Sequence, residues 1–294
     1  MVKVPIAAVF FWFVFFTVTP AGALQRESSR YVAVDGMAVH YYEAGDPSGR
    51  PIVFVHGLYG SAVDFLPLLR IMEPEYLCIA VDLPGCGLSE KPDIHYSTAF
   101  LVEFLKSFTD TIGLERFILA GHSLGGLVSV HFALLHHEAV EKLVLIDPYG
   151  LKGEEGGFLP LTRLGFIIDA AFFLTTDFIV GIGLRSYIFH DPDRIPDEYF
   201  ASVVRTFRDP ESRRAEARIT REIIGMDPVD AILPGVSQEV LLIWGEEDRL
   251  LPVTWHEGFV KALPRVTLRL IPDCGHMPIV ERPGQTAWLL EEFL

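Results

Sequence analysis

Cysteine is scarce in this chain, three among 294 residues, which excludes a disulfide framework. There is no Cys-x-x-Cys pair, and no cluster of His and Cys falls at metal-ligand spacing. Neither a redox dithiol nor a bound metal is therefore expected. Cys78 lies in an apolar run and is expected as a small buried residue; Cys86 and Cys274 fall in loop sequence that does not disclose their redox state. Positive charge is also in deficit, 24 Lys and Arg against 39 Asp and Glu. The net charge of −15 argues against nucleic acid and against simple electrostatic adhesion to anionic membranes. Repeats and low-complexity tracts are lacking. What the chain has in quantity is apolar residues, half of the total, enough to bury a large core as one domain or one domain with an insertion.

The first residues are a separate object. Residues 4–24 form an uncharged run, dense in Phe around Trp12, between Lys3 and Gln25-Arg26-Glu27. Ala21-Gly22-Ala23 reads as the small-x-small cleavage site of a secretory signal peptide. The run also approaches the roughly 20 residues of a spanning helix, so a retained anchor competes with cleavage. Pro20, just before the small residues, favours cleavage. Either way, the chain is expected to be exported or anchored in a membrane through residues 1–24.

Beyond it, two alternating segments around Asp35-Gly36 predict a hairpin over 31–44. Segment 51–55 is a continuous apolar run that reads as a strand buried on both faces, and 77–81, 117–120, 143–146, 240–244 and 266–271 read as further strands, most of them separated by helical patterns. Alternation of that kind predicts an α/β fold with a mostly parallel sheet and helices on both faces. Between 151 and 234 it fails. Helical patterns broken by Gly and Pro take over, very apolar at 158–189 and charged and amphipathic at 197–227. The segment predicts a helical lid inserted between a first core part, 25–150, and a second, 235–294.

The sheet pattern converges on Phe117-Ile118-Leu119-Ala120-Gly121-His122-Ser123-Leu124-Gly125-Gly126. A strand, a sharp turn with small residues on either side of a serine, and a helix would hold the Ser123 hydroxyl out at the sheet's edge. The Leu124 N–H, at the helix start, can bind a developing negative charge. The same five residues alone also describe a plain Gly-rich helix start. A serine nucleophile needs a base. His276 is the best placed of ten histidines, on the loop after the last strand, whereas His122 is expected to pack and His56 to shape its own loop. Asp248 follows the preceding strand and can orient the base; Glu246 and Glu247 rival it on spacing, and Asp147 is an alternative after an earlier strand.

With these segments together, the chain resembles the α/β-hydrolase superfamily, in its lid-bearing esterase, lipase and carbon–carbon bond hydrolase branch. The matching stretches are His56-Gly57-Leu58-Tyr59-Gly60, Asp82-Leu83-Pro84-Gly85-Cys86-Gly87-Leu88-Ser89, Gly121-His122-Ser123-Leu124-Gly125-Gly126, the Trp244-Gly245-Glu246-Glu247-Asp248 loop and Gly275-His276, in family order. The resemblance implies Ser123 as nucleophile, His276 as base, Asp248 as orienting acid, and the N–H groups of Leu58 and Leu124 as the oxyanion hole. No cofactor is implied. It further implies cleavage of a small apolar carboxylic ester, medium-to-long acyl or monoacylglycerol-type, with the apolar lid lining an acyl pocket and touching a membrane surface. A carbon–carbon hydrolase with the same triad, a slow or non-catalytic ligand sensor, and promiscuous perhydrolysis are the competing readings. Oligomeric state is not encoded in any of these features.

Overall fold

In the computed structural model, residues 28–152 and 172–294 are described; the leader expectation at 1–24, residues 25–27 of the first core part and residues 153–171 of the lid expectation lie outside them. Strands β1 (Ser28–Val34) and β2 (Met37–Ala44) form the hairpin, and Asp35 and Gly36 take φ of 49° and 83°. Two consecutive positive φ values give the turn whose twist matches the strands it joins, which is why Asp-Gly stands there. β3 (Arg50–Val55), β4 (Tyr76–Val81), β5 (Phe117–His122), β6 (Val140–Ile146), β7 (Glu239–Gly245) and β8 (Val266–Ile271) complete one sheet. Its order is β1-β2-β4-β3-β5-β6-β7-β8. β1–β2 and β2–β4 pair antiparallel, and every later pair is parallel.

The central parallel strands are apolar along most of their length because both faces are covered, whereas β8, at the sheet's edge, carries Thr267 and Arg269 and is largely half-buried. One face meets α2 (Thr98–Thr111) and α3 (Leu124–Leu135), with Phe104, Phe108, Leu127 and Phe132 buried against Val53, Leu119 and Leu145. The other meets α1 (Leu66–Met72) and the closing helix Pro283–Phe293, which bury Leu69, Met72 and Leu290 against Phe54, Ala120 and Ile243. Side chains at odd and even positions of β5 thus feed two different cores, as a period of two requires.

Between β6 and β7 the described residues form helices and no strand. The longest are α4 (Asp177–Gly183), which runs into a single wide turn at Leu184–Ile188, then α5 (Asp197–Arg208) and α6 (Pro210–Glu222). The charged stretch is two helices because Asp209 ends one and caps the next, its carboxylate accepting the Ser212 N–H at 2.7 Å, and Pro210 follows at the first helical position. The insertion stands over the C-terminal ends of the parallel strands, with Ile219 in one core and Val203 in the other. Among the described residues no helix is long and apolar enough to cross a membrane. Cys78, Cys86 and Cys274 are buried and free.

Candidate active site

Ser123 sits in the turn between β5 and α3 with φ 52° and ψ −119°, a backbone that an L residue holds only where its surroundings impose it. The surroundings do so. Its N–H donates to the Ile146 carbonyl at 3.0 Å, and its own carbonyl accepts from the N–H groups of Gly126 and Tyr149 at 2.9 and 3.0 Å. A Cβ on Gly121 would collide with the Gly125 carbonyl oxygen, and one on Gly125 with that of Val55. Lack of space therefore explains both glycines. The Leu124 N–H that follows opens α3, where backbone donors have no helical partner.

Asp248 and His276 meet behind this turn. His276 Nδ1 and Asp248 Oδ2 are 2.7 Å apart, and Asp248 Oδ1 accepts the N–H groups of Leu250 and Leu251 at 2.8 and 2.9 Å. Both side chains are buried. Glu246 and Glu247, rivals on spacing, are exposed. The loop turns at Asp248, whose N–H returns to the Gly245 carbonyl, so only the third acid of the run points inward. Asp147, the other alternative, is also buried there and accepts the Gly245 N–H at 2.9 Å.

Three further groups hold the His276 loop, none assigned to it from the sequence. The Ile188 carbonyl, at the end of the wide turn after α4, accepts the His276 N–H at 2.7 Å. Glu281 accepts the Gly275 N–H at 2.8 Å. His122 Nε2 donates to the His276 carbonyl at 2.7 Å, and burial holds this imidazole well below its ordinary pKa, so it is a neutral strut. The expected packing role for His122 is thus also a hydrogen-bonding one. His56 shapes its loop as the sequence predicts. Its Nε2 accepts the Leu83 N–H at 3.1 Å, which puts the ring proton on Nδ1 and toward the Gly57 carbonyl at 2.8 Å.

Leu58 lies in that loop, at the wall of a cavity of about 580 Å³ that also contains Ser123 and His276. Ile179, Val180 and Leu184 of the insertion, with Val203 and Phe207 of α5, form its apolar side. The volume falls within the ordinary range for a small-molecule site. α6 braces the same loop: Glu216 accepts the Tyr59 N–H at 3.4 Å, and the Tyr59 hydroxyl is 2.9 Å from Thr220 Oγ1. Tyr59 itself has φ of 60°. Glu216 is fully buried, and desolvation pushes its carboxyl up to about 8.

A second Ser–His–Asp series shows what hydrogen bonds alone do not make. Ser29 Oγ lies 2.9 Å from His40 Nε2, and His40 Nδ1 lies 2.7 Å from Asp82 Oδ2. Ser29 is on a regular strand, and the cavity touching His40 and Asp82 holds only about 20 Å³ and does not include it. Asp82 also receives the N–H groups of Ala62 and Leu88, so this series ties loops together. Strain at the serine and room beside it distinguish Ser123.

Comparison with known proteins agrees with the fold. The sequence model described as "alpha/beta hydrolase fold" matches residues 50–283. The chain is 29% identical over 269 residues to an uncharacterised hydrolase, YugF, of Bacillus subtilis strain 168, covering 90% of this chain and 97% of that one. It is 27% identical over 278 residues to the 2-hydroxymuconate semialdehyde hydrolase of Pseudomonas sp. strain CF600, covering 91% and 94%. Among solved structures, a bacterial membrane phospholipase A superposes with a TM-score of 0.81 at 28% identity, covering 92% of this chain and 86% of the other. The chain is a hydrolase that belongs to the α/β hydrolase fold family, with lipases and carbon–carbon bond hydrolases among its relatives.

Proposed function

We propose that this hydrolase cleaves carboxylic esters with medium-to-long acyl chains, monoacylglycerols among them, through an acyl-enzyme on Ser123. One observation carries the reading: a strained serine and an Asp248-bonded histidine open together on a large cavity whose far side is apolar. In this reading His276 takes the Ser123 proton as Oγ attacks the ester carbonyl. The N–H groups of Leu58 and Leu124 hold the oxyanion. His276 then protonates the departing alcohol, and a water activated by the same base releases the acid. Asp248, fixed by two backbone N–H groups, keeps the ring proton on Nδ1 and offsets the imidazolium charge.

The same reading extends to the surroundings of the site. Phe173, Leu174, Phe178, Ile182 and Tyr187 are exposed on the insertion beside the cavity, which supports contact with a lipid surface that delivers the substrate. Residues 151–234 serve as lid over a core of 25–150 and 235–294. Residues 1–24 direct export or anchor the chain. Mass determination of the mature N-terminus is expected to place the cut after Ala23 or Leu24; a chain that still begins at Met1 and is found in the cytosolic fraction removes the export reading.

Turnover of p-nitrophenyl esters from acetate to palmitate tests the substrate class. The expected kcat/KM peaks at medium or long chains, at least about tenfold above acetate, because each added methylene removes more apolar surface from water. Preference for acetate removes the acyl-pocket reading. Absence of turnover at every length brings forward the carbon–carbon hydrolase reading, which the relative acting on 2-hydroxymuconate semialdehyde supports.

A further inference from the structure

Behind the candidate base lie two carboxyl groups, not one. Asp147 directly follows β6, has φ of 41° and is wholly buried, and one oxygen of Asp147, one of Asp248 and one nitrogen of His276 all lie within 4.8 Å of one another. Their hydrogen bonds are unequal. Asp248 accepts from two backbone N–H groups and faces the ring nitrogen of His276, so both its oxygens have donors. Asp147 accepts one backbone N–H on Oδ1, from Gly245, while its Oδ2 is buried with no donor. An ionised carboxylate left without a donor in such a place is strongly disfavoured. The orphan disappears when Asp147 carries a proton and donates it to Asp248.

We propose that Asp147 is a positioning residue, a protonated carboxyl that donates to Asp248 and becomes the acceptor for His276 when Asp248 is neutralised. The inference rests on the triad reading of Ser123, His276 and Asp248. Two like charges at this separation cannot both persist in a dry site, and the better solvated by N–H groups keeps its charge. Burial first, and then the neighbouring Asp248, hold the Asp147 carboxyl well above the usual carboxylate range. The Gly245 N–H fixes its orientation from β7, the strand that also launches the Asp248 loop. Register between β6 and β7 therefore sets the spacing of the two acids.

The test uses the second-order rate at which a fluorophosphonate labels Ser123 in the full chain, because this needs the triad but no matched substrate. In that step Ser123 Oγ bonds to phosphorus, the P–F bond breaks, and the serine proton passes through His276 to the departing fluoride. Asp147→Asn keeps a donor toward Asp248 and an acceptor for Gly245, and is expected to label within about threefold of the wild type. Asp147→Val keeps the volume without the donor and is expected to lose about tenfold. Asp248→Asn is expected to lose about 10²-fold, and the Asp147→Asn/Asp248→Asn pair about 10⁴-fold, the scale on which a base without its carboxylate fails. The proposal is overturned if Asp248→Asn alone is already as slow as the pair, or if Asp147→Asn is no better than Asp147→Val. No labelling of the folded wild type at Ser123 would instead overturn the triad reading itself.

Discussion

Ser123→Ala is expected to lower turnover of any ester by about 10⁵ to 10⁶-fold in kcat, the scale seen when the nucleophile of a serine hydrolase is removed. The mechanism in which His276 accepts a proton has no proton to accept, and water held in the cavity has no covalent intermediate to follow. Little else changes. Alanine keeps the Cβ, so the turn at φ 52° is neither relieved nor further strained, and the backbone bonds to Ile146, Gly126 and Tyr149 involve no side-chain atom. The variant should therefore fold with an unchanged melting temperature and still bind a long-chain ester in the cavity. The measurement is steady-state kcat beside a thermal melt. Residual activity above about a hundredth of wild type, in a folded protein, removes Ser123 from the nucleophile's role.

Much of the fold was legible because its rules are local. Asp35-Gly36 specifies a turn whatever lies beyond it, and a doubly buried strand such as Val53-Phe54-Val55 announces itself by apolar continuity. The glycines around Ser123 were legible for a steric reason that the backbone contacts bear out. Choices among neighbours were not. Glu246, Glu247 and Asp248 are equal in spacing, and the one that turns inward is selected by a return bond to Gly245. The contribution of His122 to the His276 loop depends on strands far apart in sequence, β5 and β8, and no pattern in either encodes it. Glu216 is different. Ser212, Ala215, Ile219 and Thr220 fall on one side of α6 and are buried, and Glu216 lies within that stripe by spacing alone. A charge in the apolar stripe of an otherwise charged helix was a readable signal, masked by the polarity of its surroundings.

Glu216→Gln is expected to stabilise the protein at alkaline pH and to change it little near pH 5. In the folded chain burial raises the Glu216 carboxyl to about 8 from 4.5, so the folded state holds a proton that the unfolded chain releases. Stability from this group is fully present below pH 4.5 and is lost as pH rises toward 8. A shift of that size corresponds to an upper value of roughly 4 to 5 kcal/mol, at about 1.4 kcal/mol per unit, reduced by the desolvation of the replacing amide. Glutamine has nothing to ionise, and its carbonyl can still accept the Tyr59 N–H from the loop that carries Leu58. Asp147 is also raised by burial, but it remains in the variant and cancels in the difference. Asp64, raised by burial and further by the Asp82 and Glu216 charges, loses the Glu216 contribution in the variant, which adds to the separation. Urea denaturation of the two proteins from pH 5 to 9 should therefore give curves that separate through the neutral range and run parallel above about pH 8. Curves parallel throughout would mean that Glu216 keeps an ordinary pKa, with water reaching it between α6 and the loop. Separation together with unchanged activity would show that α6 can hold this loop in place whether Glu216 is charged or not.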